Sequence, residues 1–141
     1  MRSLLPTTAL LAAALANPIP NAAPNRYYLP LTVTLFNNVT GAHAAASIDT
    51  SGHSFDIGGR IFRGSALERD GKILATSVQM TFPDLPLPAG NSCGVYSSGG
   101  QTIGDLDAQH TYLEVDGQPG RAVETDVTGF VVKCDIYVVG G

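Results

Sequence analysis

Tryptophan is absent from this chain, and charge is scarce: eight lysines and arginines stand against twelve aspartates and glutamates in 141 residues. Without an indole, a flat platform for a sugar or a partner has to come from Tyr27, Tyr28, Tyr96, Tyr112 or Tyr137. The shortage of cations, at a formal charge of −4, argues against nucleic acid or an anionic membrane as partner, because both are held by concentrated positive charge. Histidines are few as well. His43, His53 and His110 stand at none of the H-x-x-x-H or C-x-x-C spacings that put metal ligands on one face. No phosphate-cradling loop or dinucleotide fingerprint occurs either. Neither a metal nor a cofactor is therefore expected.

One apolar run stands out, and it opens the chain. In MRSLLPTTALLAAALA, a cation at Arg2 precedes an apolar stretch from Leu4 to Leu15, and small residues occupy Ala14 and Ala16. A basic start, a short apolar centre and an A-x-A exit are the layout of a secretory signal peptide over residues 1–16. The stretch is shorter than the ~20 residues that a membrane-crossing helix needs. A secreted, extracellular product with no membrane insertion is expected. Residues 17–25, NPIPNAAPN, read as a proline-rich spacer or pro-segment. Residues 26–141 are long enough for a single domain with its own core.

Only two cysteines are present, Cys93 and Cys134. In an exported domain they should pair, since the secretory route is oxidising. By chain entropy such a bridge stabilises by about 4 kcal/mol. The sequon Asn38-Val39-Thr40 is a candidate glycosylation site if it stays exposed.

From Arg26 onward, apolar residues recur at every second position. Leu29, Leu31, Val33 and Leu35 form one such set, and Leu74, Thr76, Val78, Met80 and Phe82 another, with Ala75, Ser77 and Gln79 opposite. Leu113 and Val115 mark a further strand, and Phe130, Val132, Cys134, Ile136 and Val138 the last. Period two is the signature of half-buried strands. Asp70-Gly71 and Asp116-Gly117 are hairpin-turn dipeptides, while Ser51-Gly52, Gly58-Gly59 and Gly99-Gly100 punctuate the rest. Residues 64–69 have at most one turn of helical tendency, and the three prolines between Pro83 and Ser92 exclude a central strand there. About seven or eight short strands at this spacing predict an all-β fold: one antiparallel β-sandwich or small β-barrel with one disulfide.

Three constellations invite a chemical reading. Gly90-Asn91-Ser92-Cys93-Gly94 matches the G-x-S-x-G elbow of many hydrolases, which would make Ser92 a nucleophile. That elbow needs a strand before it and a helix after it, whereas here a proline tract precedes and a Ser/Gly run follows. Asp105 and Asp107 are spaced to share a strand face, yet Asp105–His110 lacks the further ligands and glycine of a calcium loop. Arg60, Arg63, Arg69 and Lys72 cluster, but Glu68 and Asp70 lie among them and the stretch reads as a mixed surface. His53 and Asp56 read as turn chemistry. No catalytic residue is assigned.

Several stretches taken together point to a family. TVTLFNNVTGAHAAASI, GRIFRGSAL, GKILATSVQMT, GNSCGVY and TYLEVDGQPGRAVETDVTGFVVKC span most of residues 31–134. In this order they resemble the small secreted fungal proteins known as hypersensitive-response-inducing elicitors. The resemblance implies a compact, disulfide-linked β fold and recognition by host plant tissue without catalysis. It carries over Cys93 and Cys134 as the bridge and Asp116-Gly117-Gln118-Pro119 as a shared turn. No binding site is carried over, and the LPLPAGN approach to Cys93 departs from the family. The expectation is a secreted fungal effector or elicitor whose partner is a host protein or cell-wall component. Two alternatives come from other classes: a carbohydrate- or cell-wall-binding module, and a small secreted hydrolase using Ser92.

Overall fold

The computed structural model describes residues 25–57, 61–83, 87–116 and 120–140. Residues 1–24, which hold the expected signal peptide and most of the spacer, lie outside them, as do Gly58, Gly59, Arg60 and residues 117–119 of the shared turn. Asn25, the last spacer residue, already opens the first strand.

Among the described residues the chain is built from short antiparallel strands. These begin with β1 (Asn25–Tyr28), β2 (Leu31–Asn37), β3 (Ala42–Ile48), β4 (Ser51–Asp56), β5 (Glu68–Arg69) and β6 (Lys72–Ala75). β7 (Ser77–Thr81), β8 (Ser92–Tyr96), β9 (Thr102–Leu106) and β10 (Tyr112–Glu114) follow. The series closes with β11 (Thr125–Asp126), β12 (Val131–Asp135) and β13 (Tyr137–Gly140). Two four-stranded sheets, ordered β10-β7-β2-β3 and β4-β12-β8-β9, carry most of the core. A three-stranded sheet β11-β6-β5 and a ribbon β1-β13 complete the structure. The all-β class expected from the alternation is what the chain adopts.

The period-two pattern sets the faces. In β2, Leu31, Val33 and Leu35 are buried and Thr32 and Thr34 look outward. Opposite them in register stand Ile48, Ala46 and Ala44 of β3. The second sheet contributes Val95, Leu106, Val132 and the cystine, and Phe62, Leu67, Ile73 and Val127 fill the space around the three-stranded sheet. Each fully buried side chain of this size stabilises by ~1.5–3 kcal/mol.

Strands are more numerous and shorter than expected because three alternating runs break at corners. The run from Leu74 to Phe82 does not present one face. β6 buries Ile73 and Ala75, β7 buries Val78 and Met80, and the phase changes at Thr76. There the Thr76 amide and hydroxyl both donate to the Phe36 carbonyl, at 2.7 and 3.2 Å. The hydroxyl also accepts from the Asn38 amide at 3.1 Å. These bonds replace ladder bonds and let the chain cross from one sheet to another. Ile136 is a second corner, where the buried Thr50 hydroxyl sits between the Leu29 and Ile136 carbonyls at 2.6 and 3.0 Å. Pro30, without an amide hydrogen, separates β1 from β2.

Two of the expected turns, at Asp70-Gly71 and Gly99-Gly100, form as read. Asp70 and Gly71 both have positive φ, 55° and 79°, as the two-residue hairpin joining β5 to β6 requires. Gly100 closes the β8–β9 turn at φ 85°. Ser51-Gly52 is a correction: it lies inside β4, where Gly52 has φ 93° and the pairing with β12 skips a residue. It is a bulge, which a glycine tolerates without steric cost. Residues 64–67 form tight turns leading into β5, with no helix.

Cys93 and Cys134 are bonded, with S–S 2.09 Å and Cα–Cα 4.0 Å. They stand directly opposite each other on β8 and β12, the two inner strands of the second sheet, and both are fully buried. The bridge therefore joins two neighbouring strands of one sheet. The loop before β8 is anchored by Asn91, whose side-chain carbonyl accepts from the Tyr137 amide at 2.7 Å while its NH2 donates to the Pro88 carbonyl at 3.1 Å.

Candidate functional site

Ser92 is the first residue of β8 and stands opposite Asp135 in the ladder. Gly90 before it has φ 89°, but a turn leads in and a strand, not a helix, leads out. The strained strand–turn–helix geometry that exposes a hydrolase serine is not formed here. A cleft of about 390 Å³ between residues 87–91 and 107–109 takes in Gly90 and Asn91, and Ser92 is not part of its wall.

The histidines stay apart and exposed. His43 on β3 stacks on Phe36 with ring centroids 6.1 Å apart. His53 pairs with Asp49, at 3.7 Å, rather than with Asp56. Its Nδ1 also lies 2.9 Å from the Ser51 hydroxyl, which is 3.1 Å from Asp49. A relay turns one ring nitrogen to the carboxylate and the other to the nucleophile; here the same nitrogen faces both. The Ser51 amide and then its hydroxyl hold the Asp49 carboxyl below its usual range. His110 lies 3.2 Å from Asp107. The Asp107 carboxyl is depressed first by the Gln109 amide, then by the His110 amide and ring. Asp105, on β9, is solvent-exposed. Among the described residues no cluster of three or more His, Cys, Asp or Glu is arranged to hold a metal ion.

The cations are distributed as a mixed surface. Arg69 bonds Glu124 at 2.8 Å, and Arg63 lies 3.7 Å from Glu68. Arg60 falls outside the described residues. Asn38 sits on the exposed turn between β2 and β3, and its sequon partner Thr40 is exposed as well.

Three of the five tyrosines stand on the β1–β13 ribbon, Tyr28 and Tyr137 on one face and Tyr27 on the other. Register places Tyr28 beside Tyr137 and Tyr27 beside Val138. Tyr28 and Tyr137 pack edge to face at 5.8 Å, and the Arg26 guanidinium lies 4.3 Å from the centre of the Tyr137 ring. Tyr28, through a side-chain hydrogen bond, and then Tyr137 raise the guanidinium pKa further. The Tyr27 ring lies over Gly140, where any Cβ would collide with it. Tyr27 remains 53% exposed and Val139 50%, so each face of the ribbon shows aromatic or apolar area to solvent. Arg26 and Val139 escaped the sequence reading, because nothing local tells that the two ends of the domain pair.

A second feature flanks Tyr112, which is 46% exposed. A groove of about 440 Å³ is walled by Gln79, Thr81, Phe82, Pro83, Ala108 and Thr111. Neither Gln79 nor Thr81 is marked in the sequence, where both look like ordinary outward positions of a strand. Among the described residues no helix is long and apolar enough to cross a membrane. The chain matches no family model, and no curated protein or solved structure shows a significant match to it.

Proposed function

We propose that this is a secreted, non-catalytic recognition protein of the fungal effector or elicitor type, acting through its folded surface on host plant tissue. The observation that carries the reading is the exposed ribbon, with Arg26, Tyr28, Tyr137 and Val139 on one face and Tyr27 on the other. Aromatic residues and arginine are the types that dominate recognition surfaces, and cross-strand packing fixes these rings before any partner arrives. The signal-peptide layout of residues 1–16 supports export, and the buried cystine fits an oxidising destination. The partner is a host protein or a cell-wall component.

Infiltration of the purified mature protein into leaves tests this. Wild type is expected to induce cell death or defence markers, and the double variant Tyr27→Ala/Tyr28→Ala to lose that response while its circular dichroism is unchanged. Inert wild-type protein across several host species would overturn the reading. A carbohydrate-binding module is favoured by a separate observation, the groove beside Tyr112. Nothing at Ser92 favours a hydrolase, since its strand neighbour is Asp135 rather than a histidine.

A further inference from the structure

Residues paired across antiparallel strands share a face. On the outward face of the β10-β7-β2-β3 sheet, register puts Tyr112, Gln79 and Thr34 in one row and Thr81 and Thr32 in the next. None of the five is charged. Gln79 and Thr81 also wall the groove of about 440 Å³, a size within the ~300–1,000 Å³ of small-ligand sites. The Tyr112 hydroxyl donates to Glu114 Oε1 at 3.0 Å, which holds the exposed ring in one orientation. We propose that this groove binds a neutral oligosaccharide. The Tyr112 ring stacks on a sugar face, and Gln79, Thr81 and Thr34 exchange hydrogen bonds with the sugar hydroxyls.

Charge and hydrogen-bonding capacity select that ligand class. Amide and hydroxyl side chains both donate and accept, as sugar hydroxyls do. An anionic glycan would meet no cation in the groove wall and would face the Glu114 carboxylate on the same side of the sheet. Among the described wall residues no carboxylate is present to hold a cationic ligand, and Glu114 on the same side of the sheet already holds Tyr112. A peptide read through its main chain needs unpaired backbone groups, and at the groove the Met80 amide already donates to the Thr111 carbonyl at 2.9 Å. Successive strands repeat every ~4.8 Å, close to the length of one pyranose unit, so neighbouring positions along one row can serve neighbouring sugars.

Titration calorimetry with cellohexaose, laminarihexaose and hexagalacturonic acid tests the proposal on the intact mature protein. Saturable binding of at least one neutral hexamer, and none of the acidic one, is expected. Tyr112→Ala should weaken binding by about tenfold, the scale of one stacked aromatic, and Gln79→Ala should weaken it severalfold. Tyr27→Ala, on the ribbon, should leave it unchanged. The proposal is overturned if neither neutral hexamer binds, if the acidic hexamer binds as well, or if Tyr112→Ala and Gln79→Ala bind like wild type. Amide chemical shifts of the two variants confirm that each is folded. The leaf response is a separate readout, so loss of one function is distinguishable from loss of the other.

Discussion

Asn37 is buried at the end of β2 with both ends of its amide occupied. Its NH2 donates to the Leu74 carbonyl at 3.3 Å and to Glu124 Oε2 at 2.6 Å. Its side-chain oxygen accepts from the Val39 and Thr40 amides at 3.0 and 3.3 Å. One side chain thus shapes the β2–β3 turn and ties it to a segment far away in sequence. Asn37→Ala should cost about 2 kcal/mol, read as a lower urea midpoint at unchanged slope. Glu124 completes the cluster: Arg69, and then Asn37, hold its pKa below the usual carboxylate range. A carboxyl depressed in the folded state contributes stability above its unfolded pKa of ~4.3, and that contribution is lost as pH falls through the folded value. Asp49, Asp107 and Asp126 shift in the same direction. Stability should therefore fall on acidification below about pH 4. Urea midpoints measured against pH should show a shallower fall in Glu124→Gln than in wild type.

Among the elements, β8 and β12 show how much a single cross-link adds. They are already paired by backbone hydrogen bonds, yet the cystine closes a span of 41 residues, worth about 4 kcal/mol by chain entropy. The double variant Cys93→Ala/Cys134→Ala should lose about that much in urea unfolding, and non-reducing peptide mapping of wild type should return Cys93 joined to Cys134. Strand identity and inward faces were legible in the sequence wherever alternation ran unbroken, as in β2 and β12. Corners were not. Thr76 and Ile136 look like any other alternating residue, because what turns the chain is a bond to Phe36 or Thr50 from a different strand. Pro30 is a third such break, hidden because the alternation runs on through Leu29 and Leu31. The same limit applies to the sites. Five tyrosines could be named, but the meeting of Tyr28 with Tyr137 depends on long-range pairing that leaves no local trace.

Over the whole molecule, the ribbon and the sequon stand at opposite ends of β2. β2 begins beside the ribbon and ends at Asn37, next to the Asn38 turn. Seven residues of strand separate them by roughly 20 Å. A glycan on Asn38 would therefore stand clear of Tyr27, while Tyr112, in register with Gln79 and Thr34, lies about halfway along β2. Expression in a eukaryotic secretory host should yield a product starting at Asn17 with a glycosidase-sensitive mass increment that Thr40→Ala abolishes. The glycosylated and Thr40→Ala forms should act alike on leaves. Mass spectrometry with N-terminal sequencing checks the first point, and the leaf assay checks the second.

The cystine also acts on assembly. Its two sulfurs meet because Cys93 and Cys134 are opposite one another and point to the same side of the sheet. A slip of one residue between β8 and β12 would turn one sulfur to the other side, and the bond could not close. Oxidation thus proofreads the alignment of these strands, and a covalently closed chain is one whose second sheet has already found its register.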